Sequence, residues 1–282
     1  PSWAIAHDRL RAAEGIVELM GLDPTDGALA AGLSVYQALS ALDRLEVRGR
    51  DSAGIQLLVT GHGLDLESPQ VQALLDERRY PFFGSGAVRT PEGALSFVYK
   101  AAAEIGELGD NTAAIRSAVL GDELLHLALE SPHAWTMVLG HTRWASVGII
   151  SEANAHPQSS EELAAVSALQ RGSTGGDTRP FTTAVLNGDV DNHADLAAAE
   201  TLQLPAEVTT DAKVIPVLWS RRLAEGQDSE VAFRNAVAPM EGSVAIAANS
   251  AARPGELMLA LRGSGQALYV GLADDAFVIA SE

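Results

Sequence analysis

The sequence predicts an α+β fold in which helices and strands come in separate runs. Three patterns carry that expectation. Two amphipathic stretches stand near the start, helical spacing fills much of residues 193–238, and four short β-prone runs occupy residues 243–280. Helix and strand do not alternate regularly, as they would in a wound parallel sheet, so a layered α+β arrangement follows.

Taken in order, residues 8–20 carry Leu10, Ile16, Val17, Leu19 and Met20 at helical spacing. Residues 27–46 predict a longer helix, because Leu29, Leu33, Val35, Tyr36, Leu39, Leu42 and Leu45 recur at three and four. Gly49 and the turn formers Asp51-Ser52 end it, and Ile55 to Thr60 is a short β-prone run. Residues 62–95 hold a polar helix candidate near 69–79 followed by a Pro/Gly-rich stretch, which predicts an insertion or loop. Ser96 to Tyr99 is strand-like, and residues 110–129 predict one amphipathic helix. Trp135 to Gly140 and Phe181 to Leu186 are apolar strand candidates, and Gln170 to Pro180, rich in Gly, Ser and Thr, predicts a surface loop. Helices follow at 193–203, at 211–224 with a kink at Pro216, and at 228–238. Strand candidates at 243–248, 257–262, 267–271 and 276–280 close the chain.

Composition narrows the function. A net charge of −18, from 37 acidic and 19 basic residues, repels phosphate backbones, so nucleic-acid binding is not expected. Zero cysteines exclude a disulfide framework and thiolate metal sites, and they fit a cytoplasmic protein. No apolar run reaches the ~18 residues that a membrane span needs. The opening Pro1-Ser2-Trp3-Ala4 has no signal-peptide pattern and no initiator Met, and the chain stops just after an apolar run, so a longer parent protein is expected.

Common catalytic signatures are missing. There is no phosphate loop ending in Gly-Lys-Ser/Thr, and Gly84-Ser85-Gly86 lacks the third glycine of a dinucleotide site. The seven histidines show no metal-ligand spacing, there is no nucleophile elbow, and no cofactor is expected. What stands out is Gly140-His141-Thr142-Arg143-Trp144-Ala145-Ser146, followed by Glu152-Ala153-Asn154-Ala155-His156-Pro157. A lone arginine among small and polar residues just past an apolar strand suits a small carboxylate, because a guanidinium makes two parallel hydrogen bonds to one. A surface arginine stacked on Trp144 is the plainer account. Three further segments join it: Arg48-Gly49-Arg50-Asp51-Ser52-Ala53-Gly54, Asn187-Gly188-Asp189-Val190-Asp191-Asn192-His193, and Thr209-Thr210-Asp211-Ala212-Lys213. Asn187-Gly188 is by itself a hairpin-turn signal, Asp211 a helix cap, and Arg48 with Asp51 an ion pair.

In order, wording and spacing these segments resemble the glutaminase domain of class II glutamine amidotransferases, and most nearly its glucosamine-6-phosphate synthase branch. The resemblance covers roughly residues 27–60 and 96–282. It implies a four-layer αββα sandwich of the N-terminal-nucleophile type, built as one glutaminase domain over 1–282 with an insertion at 62–95. It implies hydrolysis of L-glutamine to glutamate and ammonia. Arg143 would hold the α-carboxylate and Asp211 the α-amino group, with Trp144 and Ser146 lining the pocket. Asn187 and Gly188 would form an oxyanion hole, and Arg48, Thr142 and His156 would support the site. It also implies a sugar-phosphate isomerase domain beyond residue 282 and a homo-oligomer. The chain departs from this pattern in three places. The family's nucleophile is an N-terminal cysteine, expected here to precede Pro1; Val147 stands where a histidine is usual; and the 62–95 stretch is extra. A domain that binds glutamine without hydrolysing it, serving regulation or scaffolding, is the alternative. Another class II relative, such as an amidophosphoribosyltransferase or asparagine synthetase, is a third.

Overall fold

The computed structural model describes residues 2–78, 83–103, 107–163, 179–273 and 276–281. The fold is α+β, and the chain divides into two compact units: Pro1–Ala145 with Ile150–Pro157, and Ser146–Ile149 with Gln158–Glu282.

The first unit is built on an antiparallel sheet in the order β2-β3-β1-β4, from β1 (Ser52–Thr60), β2 (Val88–Arg89), β3 (Leu95–Ala101) and β4 (Trp135–Arg143). Strand β1 is central, and it is buried on both faces, which is why it reads as an almost unbroken apolar run. Its pairing with β4 sets Ser52 opposite Arg143, fixing that arginine at the end of an edge strand. Helix α1 (Ser2–Met20) packs against α2 (Asp26–Leu45), and α2 in turn lies on β4. Thr25 starts α2 by accepting from Ala28 N, and Ala31, Val35, Leu39 and Leu42 form its buried stripe.

Within residues 62–95 the helix expected near 69–79 is α3 (Pro69–Glu77), which buries Val71 and Leu75 in this unit's core, and in the Pro/Gly-rich stretch after it Val88-Arg89 pairs with β3. One expectation changes here. The single helix expected over 110–129 is two, α4 (Asp110–Leu120) and α5 (Glu123–Leu129). Asp122 makes the break: its Oδ1 accepts from Leu125 N at 3.0 Å as the cap of α5 and from Arg78 at 2.8 Å, while Oδ2 takes the Tyr99 hydroxyl.

The second unit has a four-stranded antiparallel sheet, β5-β6-β7-β8, from β5 (Gln158–Ser159), β6 (Thr182–Val190), β7 (Gly242–Ser250) and β8 (Leu257–Arg262). A separate hairpin joins β9 (Tyr269–Leu272) to β10 (Phe277–Ala280). Its helices are α6 (His193–Ala199), α7 (Val214–Ala224) and α8 (Ser229–Val237). Leu186, Val244 and Ile246 from the sheet meet Ile215, Leu218, Trp219 and Phe233 in one core, with Trp219 edge-on to Phe233. Pro216 does not kink a helix over 211–224. Asp211–Lys213 form a 3-10 turn and α7 begins at Val214, so the proline falls in the first turn, where its missing N–H has no intrahelical partner to lose. The loop expected at Gln170 to Pro180 lies outside the described residues up to 178. Among the described residues no helix is long and apolar enough to cross a membrane, and no group of three or more His, Cys, Asp or Glu is placed to hold a metal.

Candidate functional site

In the first unit the residues around Arg143 are held by backbone. Asp51 N donates to Arg143 O at 3.1 Å, and Asp51 Oδ2 accepts from Ala145 N at 2.8 Å. The Asp51 carboxylate therefore fixes the bend after β4, and Arg48 sits exposed in the turn after α2. Arg143 is 4% exposed and Trp144 73% exposed, so the arginine is not the surface residue that plain stacking on the indole would require. Thr142 is half-buried and pairs with Ala53. His156 is buried, precedes a cis bond to Pro157, and stacks its ring on His141 at 4.3 Å. A methyl group on Gly54 would come 2.2 Å from His156 O, so the glycine lets this segment cross β1 closely. Glu46, fully buried, takes hydrogen bonds from Thr112 N at 2.8 Å, Thr112 Oγ1 at 2.6 Å and Gly109 N, and so caps α4 two residues before Arg48.

The second unit gathers Ser146, Asn187, Gly188 and Asp211 at one end of β6. Asn187-Gly188 is not a turn: both residues pair with β7, opposite Ala245 and Val244. The turn signal is overridden because Gly188 takes its positive φ of 115° inside the strand. The Asn187 amide donates to Ser281 Oγ at 3.0 Å, leaving its second N–H for another acceptor. Ser146 Oγ lies 2.5 Å from Asp189 Oδ1. Asp211 opens the 3-10 turn, is 4% exposed, and accepts from Val190 N at 2.7 Å through Oδ2. Burial pushes its pKa up; the Val190 N–H opposes that, the Asp189 charge adds to it, and His193 opposes it.

That upward shift has a testable sign. Asp211 favours the folded state most when protonated, and this contribution is lost as pH rises through its raised folded pKa. Asp211→Asn keeps an oxygen for Val190 N–H without the buried charge. Thermal unfolding across pH is expected to show this variant more stable than the parent at neutral pH, with the gap closing under acid. A variant less stable at neutral pH would contradict it.

Two residues in this cluster lie inside the quoted segments but are not among the candidates. Asp189 is one. Lys213 is the other, fully buried with its ammonium 2.6 Å from Ser159 O, tying the 3-10 turn to β5. The hydroxyl and carbonyl they meet lie far off in sequence.

No family model matches the chain. Among curated proteins it is similar to the glutamine–fructose-6-phosphate aminotransferase (isomerizing) of Bacillus cereus, 29% identical over 245 residues, which is 86% of this chain and 29% of that protein. It is also 28% identical over 251 residues to the Pseudomonas syringae enzyme of the same name, covering 88% of this chain and 30% of that one. By sequence the chain is similar to the class II glutamine amidotransferases. Solved structures agree on the fold. Glutamine phosphoribosylpyrophosphate amidotransferase from B. subtilis superposes with a TM-score of 0.50 at 16% identity, covering 88% of this chain and 38% of that one. A structure described as the allosteric regulatory enzyme of purine biosynthesis gives 0.51 at 18%, covering 88% and 39%. These neighbours share the α+β fold of this chain. The chain spans 29% of the length of the first curated relative.

Proposed function

We propose that the chain is the glutaminase part of a cytoplasmic amidotransferase. It would bind L-glutamine, release ammonia from the side-chain amide, and pass it to a sugar-phosphate acceptor domain. The observation that supports this is the cluster at one end of β6, where the Asn187 amide, the Gly188 N–H and the buried Asp211 carboxylate stand in segments that resemble the family's. By that resemblance Arg143 suits an α-carboxylate and Asp211 an α-ammonium. Asn187 Nδ2–H and Gly188 N–H are the donors for the oxyanion formed when a nucleophile adds to the amide carbon. Ammonia then leaves, and water releases glutamate from the acyl intermediate. With no cysteine in residues 1–282, a thiol nucleophile has to come from outside this sequence. That same absence favours a second reading, in which the domain binds glutamine without turning it over. A turnover assay on the intact protein separates the two.

Arg143→Ala is expected to weaken L-glutamine binding by ~1.5–3 kcal/mol, about 10–100-fold, as for hydrogen bonds to a charged group. Titration calorimetry reads this directly. Unchanged affinity would remove Arg143 from the site.

A further inference from the structure

The hydrogen bond between Ser146 and Asp189 has a direction. A hydroxyl has one proton and two lone pairs, whereas a carboxylate only accepts. At 2.5 Å the proton therefore belongs to Ser146 Oγ and points at Asp189 Oδ1, and the serine has only lone pairs to offer a ligand. Asp211 lies beside it: its Oδ2 is taken by Val190 N–H, the residue after Asp189 in β6, its Oδ1 has Thr210 Oγ1 at 3.4 Å, and the Ala212 N–H also favours the carboxylate. Among the described residues neither Asp189 nor Asp211 has a lysine or arginine partner, although Asp211 is almost wholly buried and Asp189 half-buried. Two such carboxylates within electrostatic reach of each other have, among the described residues, only His193 as a cationic neighbour.

We propose that Asp189 is a positioning residue. It fixes the Ser146 hydroxyl as a hydrogen-bond acceptor and so makes this end of the site selective for a primary ammonium group over a blocked amine or a carboxylate. Ser146 Oγ, the second oxygen of Asp189 and Oδ1 of Asp211 supply three acceptors, matching the three N–H donors of an ammonium. An acylated amine lacks the charge and two of the donors, and a carboxylate meets only repulsion. This rests on the amino-acid-binding function proposed above.

The test is calorimetric titration with L-glutamine and with Nα-acetyl-L-glutamine. The parent protein is expected to prefer L-glutamine. Asp189→Leu is expected to lower L-glutamine affinity about 10-fold and to shrink the preference by the same factor, the scale of one charge-assisted hydrogen bond. Adding Ser146→Ala to that variant should cost nothing more, and Asp189→Asn, which keeps an oxygen for the serine proton, should recover part of the preference. Ser146→Ala alone should shrink the preference too, and it carries the test where Asp189→Leu does not fold. A preference unchanged in these variants, or losses that add independently, overturns the role of Asp189 alone. A parent protein that does not bind L-glutamine overturns the amino-acid site itself.

Discussion

Gly188→Ala is expected to cost several kcal/mol of stability and to abolish any turnover. Two independent penalties meet at this residue. Its φ of 115° lies where L side chains rarely go, and holding a residue in such a region costs about 1–3 kcal/mol. A Cβ there would stand 1.8 Å from Ser243 O, an atom of the neighbouring strand's backbone with no rotamer to yield. Overpacking of that kind adds about 1–3 kcal/mol where the structure can shift at all. The shift would have to separate β6 from β7 next to Asn187 and Asp189, so the two proposed oxyanion donors and the Ser146 contact move together. Denaturant unfolding should show a midpoint well below the parent's. A variant with parental stability would mean that β6 carries no such constraint.

The conformation that makes Gly188 irreplaceable could not be read from the sequence. Asn-Gly is a local turn signal, but pairing with β7 along the whole of β6 outweighs it. Where local pattern and tertiary demand agree, the sequence was legible. Helix α2 spans Asp26–Leu45 against the expected 27–46, because Val35, Leu39 and Leu42 of the predicted spacing are buried, although Leu29 and Leu33 are exposed and Ala28 and Ala31 complete the stripe. Strands β7 to β10 fall within two residues of the expected runs at every end. Helix α1 begins at Ser2, well before residue 8, since its opening residues are exposed and carry no apolar stripe to announce them. The break between α4 and α5 was visible as Gly121-Asp122, yet the apolar spacing runs on through it and conceals it. Motif wording singles out Arg143 and Asp211 as candidates, and the structure finds both buried. It does not single out Asp189, because its role depends on a hydroxyl 43 residues away.

Glu162 is the extreme case of such nonlocal meaning, and Glu162→Ala is expected to destabilise the second unit by about 3–5 kcal/mol, the usual cost of removing one partner from a buried ion network. Glu162 is 2% exposed. Arg221 reaches it twice, Nε to Oε2 at 3.0 Å and Nη2 to Oε1 at 2.7 Å; Arg179 also donates to Oε2, and Gln203 N donates to Oε1 at 2.7 Å. Burial alone would push this carboxyl's pKa up, but the two guanidiniums and the backbone N–H outweigh it and hold the group below the ordinary glutamate range. A depressed folded pKa contributes stability that is present above the unfolded value and lost as pH falls through the folded one. The gap between parent and Glu162→Ala in denaturant unfolding should therefore be widest at neutral pH and narrow in acid, as the parent's Glu162 takes up its proton. A gap that stays constant with pH would mean that packing, and not charge, is what Glu162 supplies. The effect should reach the candidate site. Glu162 follows β5 closely, and β5 holds Lys213 through Ser159 O, in the same 3-10 turn that presents Asp211. Loosening this network frees the turn, so glutamine affinity should fall along with stability, although Glu162 touches no ligand.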